Sequence, residues 1–138
     1  MEIRDAMQLA EAVRAVGGYR WVGIYEVRDT EVGVIGWSGP QPPAYPTLPR
    51  DRGLCGAALL AGETVMVGDV TADPRYLTTL SNTRSEMVVP IRVGGKVVGL
   101  VDVESDVPHA FSAADRDTLE SHAMRIAAAW SAAATPTA

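Results

Sequence analysis

Two runs of β-branched residues flank a Gly-Gly pair: Glu86 to Val93, then Gly94-Gly95, then Lys96 to Glu104. A glycine pair between such runs is a strong hairpin signal, because the tight turn needs positive φ at its centre. This unit constrains the fold more than any other segment. The second run is apolar on both faces, with Val98 and Leu100 on one and Val97, Val101 and Val103 on the other. A strand buried on both faces belongs in the middle of a sheet.

The rest of the chain supplies partners for it. Ile3, Leu9, Ala10, Val13 and Val16 recur at helical spacing and stop at Gly17-Gly18. Tyr19 to Val27 and Glu31 to Ser38 form a second hairpin around Asp29-Thr30. The proline-rich stretch from Gly39 to Arg52 is expected to be irregular, and Gly53 to Ala61 a short helix ended by Gly62. Glu63 to Gly68 gives a short strand, followed by a long polar connection from Asp69 to Arg84. Loops of that length are uncommon and often functional. Ser112 with Asp115 opens a last helix that runs to about Trp130, with Leu119, Ile126 and Trp130 on one face. The tail after Ala132 is expected to fray. The order implies an α+β domain with a largely antiparallel central sheet and the terminal helices packed on a face.

Length and composition agree with one domain over residues 1–138, its core at about 8–130. A net charge of −5 without a basic cluster argues against nucleic acid as a partner. No apolar run approaches the ~20 residues of a membrane span, and Glu2, Arg4 and Asp5 interrupt any signal-peptide core. Cys55 is the one cysteine, so a reducing, cytoplasmic setting is the expectation. His109 and His122 have no cysteines beside them, so neither a metal nor any other cofactor is expected.

Four groups carry possible chemistry. Asp102 and Glu104 lie two apart on a strand and share a face. They are hydrated if the strand end emerges into solvent, or form a buried acid pair that needs a cation or a shared proton. Counting outward from the Gly-Gly turn sets residue 86 or 87 beside 102 or 103, so Glu86 either joins that patch or is solvated. Three acids together suit an ammonium group, or supply a proton held at raised pKa. Trp21 and Tyr25, four apart on one strand face, serve as core packing or as an aromatic wall for a ligand. Cys55 lies in Arg52-Gly53-Leu54-Cys55-Gly56 at a helix start, which favours a thiolate; the other reading is a small buried hydrophobe.

These segments resemble a GAF domain and, more narrowly, the free methionine-(R)-sulfoxide reductases, over about residues 8 to 130. The likeness rests on Trp21-Val22-Gly23-Ile24-Tyr25, Arg52-Gly53-Leu54-Cys55-Gly56, Ser85-Glu86-Met87-Val88-Val89-Pro90 and Gly99-Leu100-Val101-Asp102-Val103-Glu104-Ser105. Phe111-Ser112 with Asp115 and Leu119 adds a common GAF ending. In the family an aromatic pair and three carboxylates line the pocket for free methionine sulfoxide. Trp21, Tyr25, Glu86 and Asp102 match, while Glu104 stands where an aspartate is usual.

The resemblance also implies three cysteines, of which Cys55 matches one. The position ten residues before it holds Tyr45, and that seven before Glu86 holds Thr79. Arg84 replaces a small polar residue. In that chemistry a thiolate attacks sulfur, a carboxyl group supplies a proton, and the resulting sulfenic acid is captured by a second cysteine. Cys55 alone has no second thiol in the chain. The expectation is therefore a small-molecule-binding domain for an amino-acid-like ligand at Trp21, Tyr25, Glu86, Asp102 and Glu104. The alternative is a single-cysteine reductase with Cys55 as nucleophile and Glu86 or Glu104 as proton donor, recycled by an external thiol. A cyclic-nucleotide or tetrapyrrole sensor fits the acidic patch poorly. The terminal helices are candidate homodimer surfaces, as in many GAF proteins.

Overall fold

The computed structural model describes residues 3–77 and 82–134, with side chains from residue 5 to residue 131. Six strands form one sheet in the order β3-β2-β1-β6-β5-β4, and every neighbouring pair is antiparallel. The strands are β1 (Trp21–Val27), β2 (Glu31–Ser38), β3 (Thr47–Pro49), β4 (Val65–Val67), β5 (Ser85–Val93) and β6 (Lys96–Ser105). The helices are α1 (Ile3–Gly17), α2 (Gly53–Ala61) and α3 (Ala113–Ala134). This is the expected α+β architecture with β6 at its centre.

Two cores lie on opposite faces. Helices α1 and α3 cover one face, where Ala6, Ala10, Val13, Leu119 and Ile126 meet Val22, Ile24, Val89, Val101 and Val103. Val16, expected on the buried side of α1, is 69% exposed; the face that packs is Ala6, Ala10 and Val13, at spacings of four and three. The N-terminus of α3 is closed as expected. Ser112 N donates to Asp115 Oδ2 at 2.8 Å, and Asp115 N donates to Ser112 Oγ at 3.2 Å. The helix is described to Ala134, past the expected end near Trp130. Residues 135–138 lie outside the described residues.

Helix α2 and the loops around it cover the other face, where Trp21, Tyr25, Leu48, Leu54, Cys55, Val88 and Leu100 pack together. Leu48 belongs to β3, a short edge strand inside the stretch expected to be irregular. Flanking prolines hide such an element from pattern, yet an edge position tolerates them.

The central hairpin departs from simple alternation at one point. Arg92 pairs with Val97, while Ile91 pairs with Gly99, so Val98 is an extra residue in β6. A bulge of this kind shifts which face each following side chain takes. Val97 therefore packs with Leu100 beneath α2, and Val98 packs on the α1/α3 face, the reverse of the expected assignment.

Candidate functional site

The bulge decides which acids meet. Without it, outward counting from Gly94-Gly95 would set residue 86 against 103, on the face covered by α1 and α3. With Val98 as the extra residue, Glu86 stands opposite Glu104 and Val88 opposite Asp102. Directly opposed residues of an antiparallel pair share a face, so Glu86 joins Asp102 and Glu104. Each of the three offers a carboxylate oxygen within 4.8 Å of the others. Their exposures are 3%, 1% and 1%, so the strand end does not emerge into solvent.

Strand β1 sets the aromatic pair over the same face. Trp21 pairs with Glu104, Gly23 with Asp102 and Tyr25 with Leu100. Both rings are buried. Between them Gly23 leaves the space they lean into: a Cβ there would overlap the Trp21 ring and stand 3.0 Å from Tyr25 Cε1. Trp21 Nε1 donates to the Gln41 carbonyl at 2.9 Å, which ties the proline-rich loop across the indole.

Helix α2 brings the sulfur. Cys55 lies in its first turn, buried, after Gly53 at φ 68. A cavity of about 10 Å³ remains between α2 and the sheet, lined by Tyr25, Leu48, Gly53, Leu54, Cys55, Leu77, Glu86 and Asp102. That is about the room of one water molecule. Trp21 and Glu104 are not among its lining residues and form the layer behind. Leu48, Leu54 and Leu77 were not marked from sequence. Leu48 and Leu77 are single apolar side chains in a proline-rich and a polar segment, while Leu54 is one of several apolar residues in the short helix beside Cys55.

The electrostatics follow from burying like charges. Burial, then the neighbouring Glu104 carboxylate, pushes Glu86 up to about 8, with a hydrogen bond to Asp102 acting the other way. Burial and then Glu86 push Asp102 well above the usual carboxylate range. Asp102 Oδ1 is buried without a hydrogen-bond partner among the described residues. Glu104 Oε1 accepts a 2.8 Å hydrogen bond from Thr83 Oγ1, and Thr83 is itself buried. The Cys55 thiol is pushed well up by burial, then by Asp102, Glu86 and Glu104. Burial and the three acids thus act against the thiolate that the helix start would favour. Tyr25 is raised by the same causes, burial first and Asp102 next.

Of the two positions where the resemblance implies further cysteines, Tyr45 is exposed and Thr79 lies outside the described residues. His109 is an exposed loop residue with φ 52, and His122 lies on α3; neither reaches the acid cluster.

Comparison with known proteins places this fold. The GAF domain family model matches residues 6–130, so the chain belongs to the GAF family. Within that family it is similar to free methionine-R-sulfoxide reductases. The type II enzyme of Thermoplasma acidophilum superposes with a TM-score of 0.84 at 30% identity, over 91% of this chain and 92% of that one. The enzyme of Neisseria meningitidis, in complex with its substrate, gives 0.87 at 32% identity over 94% and 78%. Protein YtsP of Bacillus subtilis is 33% identical over 99 residues, 72% of this chain, and the match spans 61% of YtsP's length. Among the described residues no helix is long and apolar enough to cross a membrane.

Proposed function

We propose that this chain is a binding domain for a small amino-acid-like ligand, held at the site under α2, which opens from its one-water size of about 10 Å³ to admit it. The ammonium group lies at Glu86 and Asp102, and the apolar or sulfur-bearing side chain lies against Tyr25, with Trp21 behind. The observation that carries this reading is the triad itself. Three acids buried within 4.8 Å of one another are costly in an unliganded fold, and a cation offsets that cost. The similarity to a reductase solved with its substrate supports an amino-acid-like ligand. The redox relay is incomplete, because Cys55 is the one cysteine of the chain.

A second reading has one observation in its favour: Cys55 lines the same cavity as Glu86 and Asp102. On this reading Cys55 attacks the sulfoxide sulfur, Glu86 or Glu104 supplies a proton, and the sulfide leaves. The oxygen ends on Cys55 as a sulfenic acid, which two equivalents of external thiol reduce to the thiol, releasing water and a disulfide. The raised thiol pKa weighs against it.

Thermal-shift measurements with methionine, both methionine sulfoxides and other amino acids separate these readings when paired with a dithiothreitol-driven reductase assay. Stabilisation without turnover supports the binding domain. Turnover that is lost in Cys55→Ser supports the reductase. Stabilisation by none of these compounds contradicts the ligand cavity.

A further inference from the structure

Of the three acids, two line the cavity under α2, and the third has a partner outside the triad. Glu86 and Asp102 line the space under α2, whereas Glu104 does not. The Glu104 carboxyl is held between two partners, the Asp102 carboxyl beside it and the hydroxyl of Thr83 at 2.8 Å. Thr83 is 5% exposed, so its hydroxyl proton is shielded from water and goes to a protein acceptor.

The backbone beside Thr83 is fixed on two sides. Arg84 N donates to the Ser105 carbonyl at 2.8 Å, and the Arg84 carbonyl accepts from Val70 N at 2.9 Å. The hydroxyl therefore stands at a set place just before β5. A glutamate at position 104 reaches it; an aspartate, one methylene shorter, stops short unless the strands shift.

We propose that Thr83 is a positioning residue of this site: its hydroxyl holds the Glu104 carboxyl on the loop side of the triad, so that Asp102 and Glu86 alone present theirs to the ligand. This rests on the binding reading for the identity of the cavity, though not for the Thr83–Glu104 pair itself. The groups facing Glu104 are Glu86 on β5, Asp102 on its own strand and Trp21 on β1. Tyr25 and Cys55 complete the same electrostatic neighbourhood. A donor to one carboxyl of such a cluster favours its charged form, and so sets both position and charge.

The test uses Thr83→Val, Thr83→Ser, Glu104→Asp and the Thr83→Val/Glu104→Asp double variant, each checked for folding by circular dichroism. On the unliganded protein, carboxyl-carbon NMR titration follows Glu104 directly. Thr83→Val is expected to move its midpoint to higher pH by about one unit, the size of a lost donor to a charged group. Thr83→Ser restores the wild-type midpoint. With methionine (R)-sulfoxide as the calorimetric probe, Thr83→Val weakens binding about tenfold, and less than about twofold when Glu104 is already aspartate. A wild-type Glu104 midpoint in folded Thr83→Val overturns the proposal, as does an equal loss of affinity in both backgrounds. If the probe fails to bind wild type, the binding reading falls, and the titration alone decides the role of Thr83.

Discussion

Glu86 and Glu104 stand directly opposite each other across the β5–β6 ladder, on the face beneath α2, because Val98 bulges out of β6. One extra residue in a hairpin thus brings a third acid to a pair that would otherwise be two. Burying like charges side by side is what gives this fold its distinctive chemistry.

Stability should fall with rising pH. Glu86 titrates at about 8 in the folded chain against 4.5 for its ordinary value, and Asp102 is shifted in the same direction. Between those limits the folded state holds more protons than the unfolded state, so stability is greatest below about 4.5 and is lost as pH rises through about 8. Urea unfolding at a series of pH values should show this slope, and Glu86→Gln should flatten it. Glu86→Gln should then be the more stable protein at pH 9, by about 1–3 kcal/mol.

Cys55 should be chemically quiet. A buried thiol beside three acids presents little thiolate, the species that reacts. Alkylation by iodoacetamide at pH 8 should run at least about tenfold slower in the native protein than in urea. Equal rates would show that the helix start prevails over burial.

Gly23 should resist any side chain. Its Cβ would enter the space of the Trp21 ring beside Tyr25. Gly23→Ala should cost about 1–3 kcal/mol in denaturant unfolding, the range for overpacked sites. It should also shift the aromatic near-ultraviolet signal, because both rings must move. A neutral Gly23→Ala would place the rings elsewhere.

The capping box of α3 should be worth about 1 kcal/mol. Ser112→Ala removes the hydroxyl that accepts from Asp115 N. Thermal unfolding should record a loss of about 0.5–2 kcal/mol, with no effect on ligand binding at the opposite face of the sheet.

Much of this was legible because strand and helix periods are local. The two hairpins, the Gly53 to Ala61 helix and the Ser112 start all follow from turn glycines, β-branched runs and capping residues. The shared face of Trp21 with Tyr25, and of Asp102 with Glu104, follows from parity within one strand. Three features were not legible. The Val98 bulge leaves no mark on a run of valines and glycine, yet it sets which face Glu86 takes. Strand β3 owes its existence to pairing with β2, which no pattern inside a proline-rich stretch announces. The thiol of Cys55 is pushed up by acids on two other elements, which a local reading of α2 does not contain.

On the proposed reading, the buried acids under α2 receive the cationic end of a small ligand. Calorimetric titration of wild type and Asp102→Asn with methionine (R)-sulfoxide at pH 7 tests it most directly. Saturable one-site binding to wild type is expected, with at least about a tenfold loss in Asp102→Asn, because an amide cannot give up a proton to become the partner of the ammonium group. Equal affinity of the two folded proteins, or no saturable heat from wild type, would contradict it.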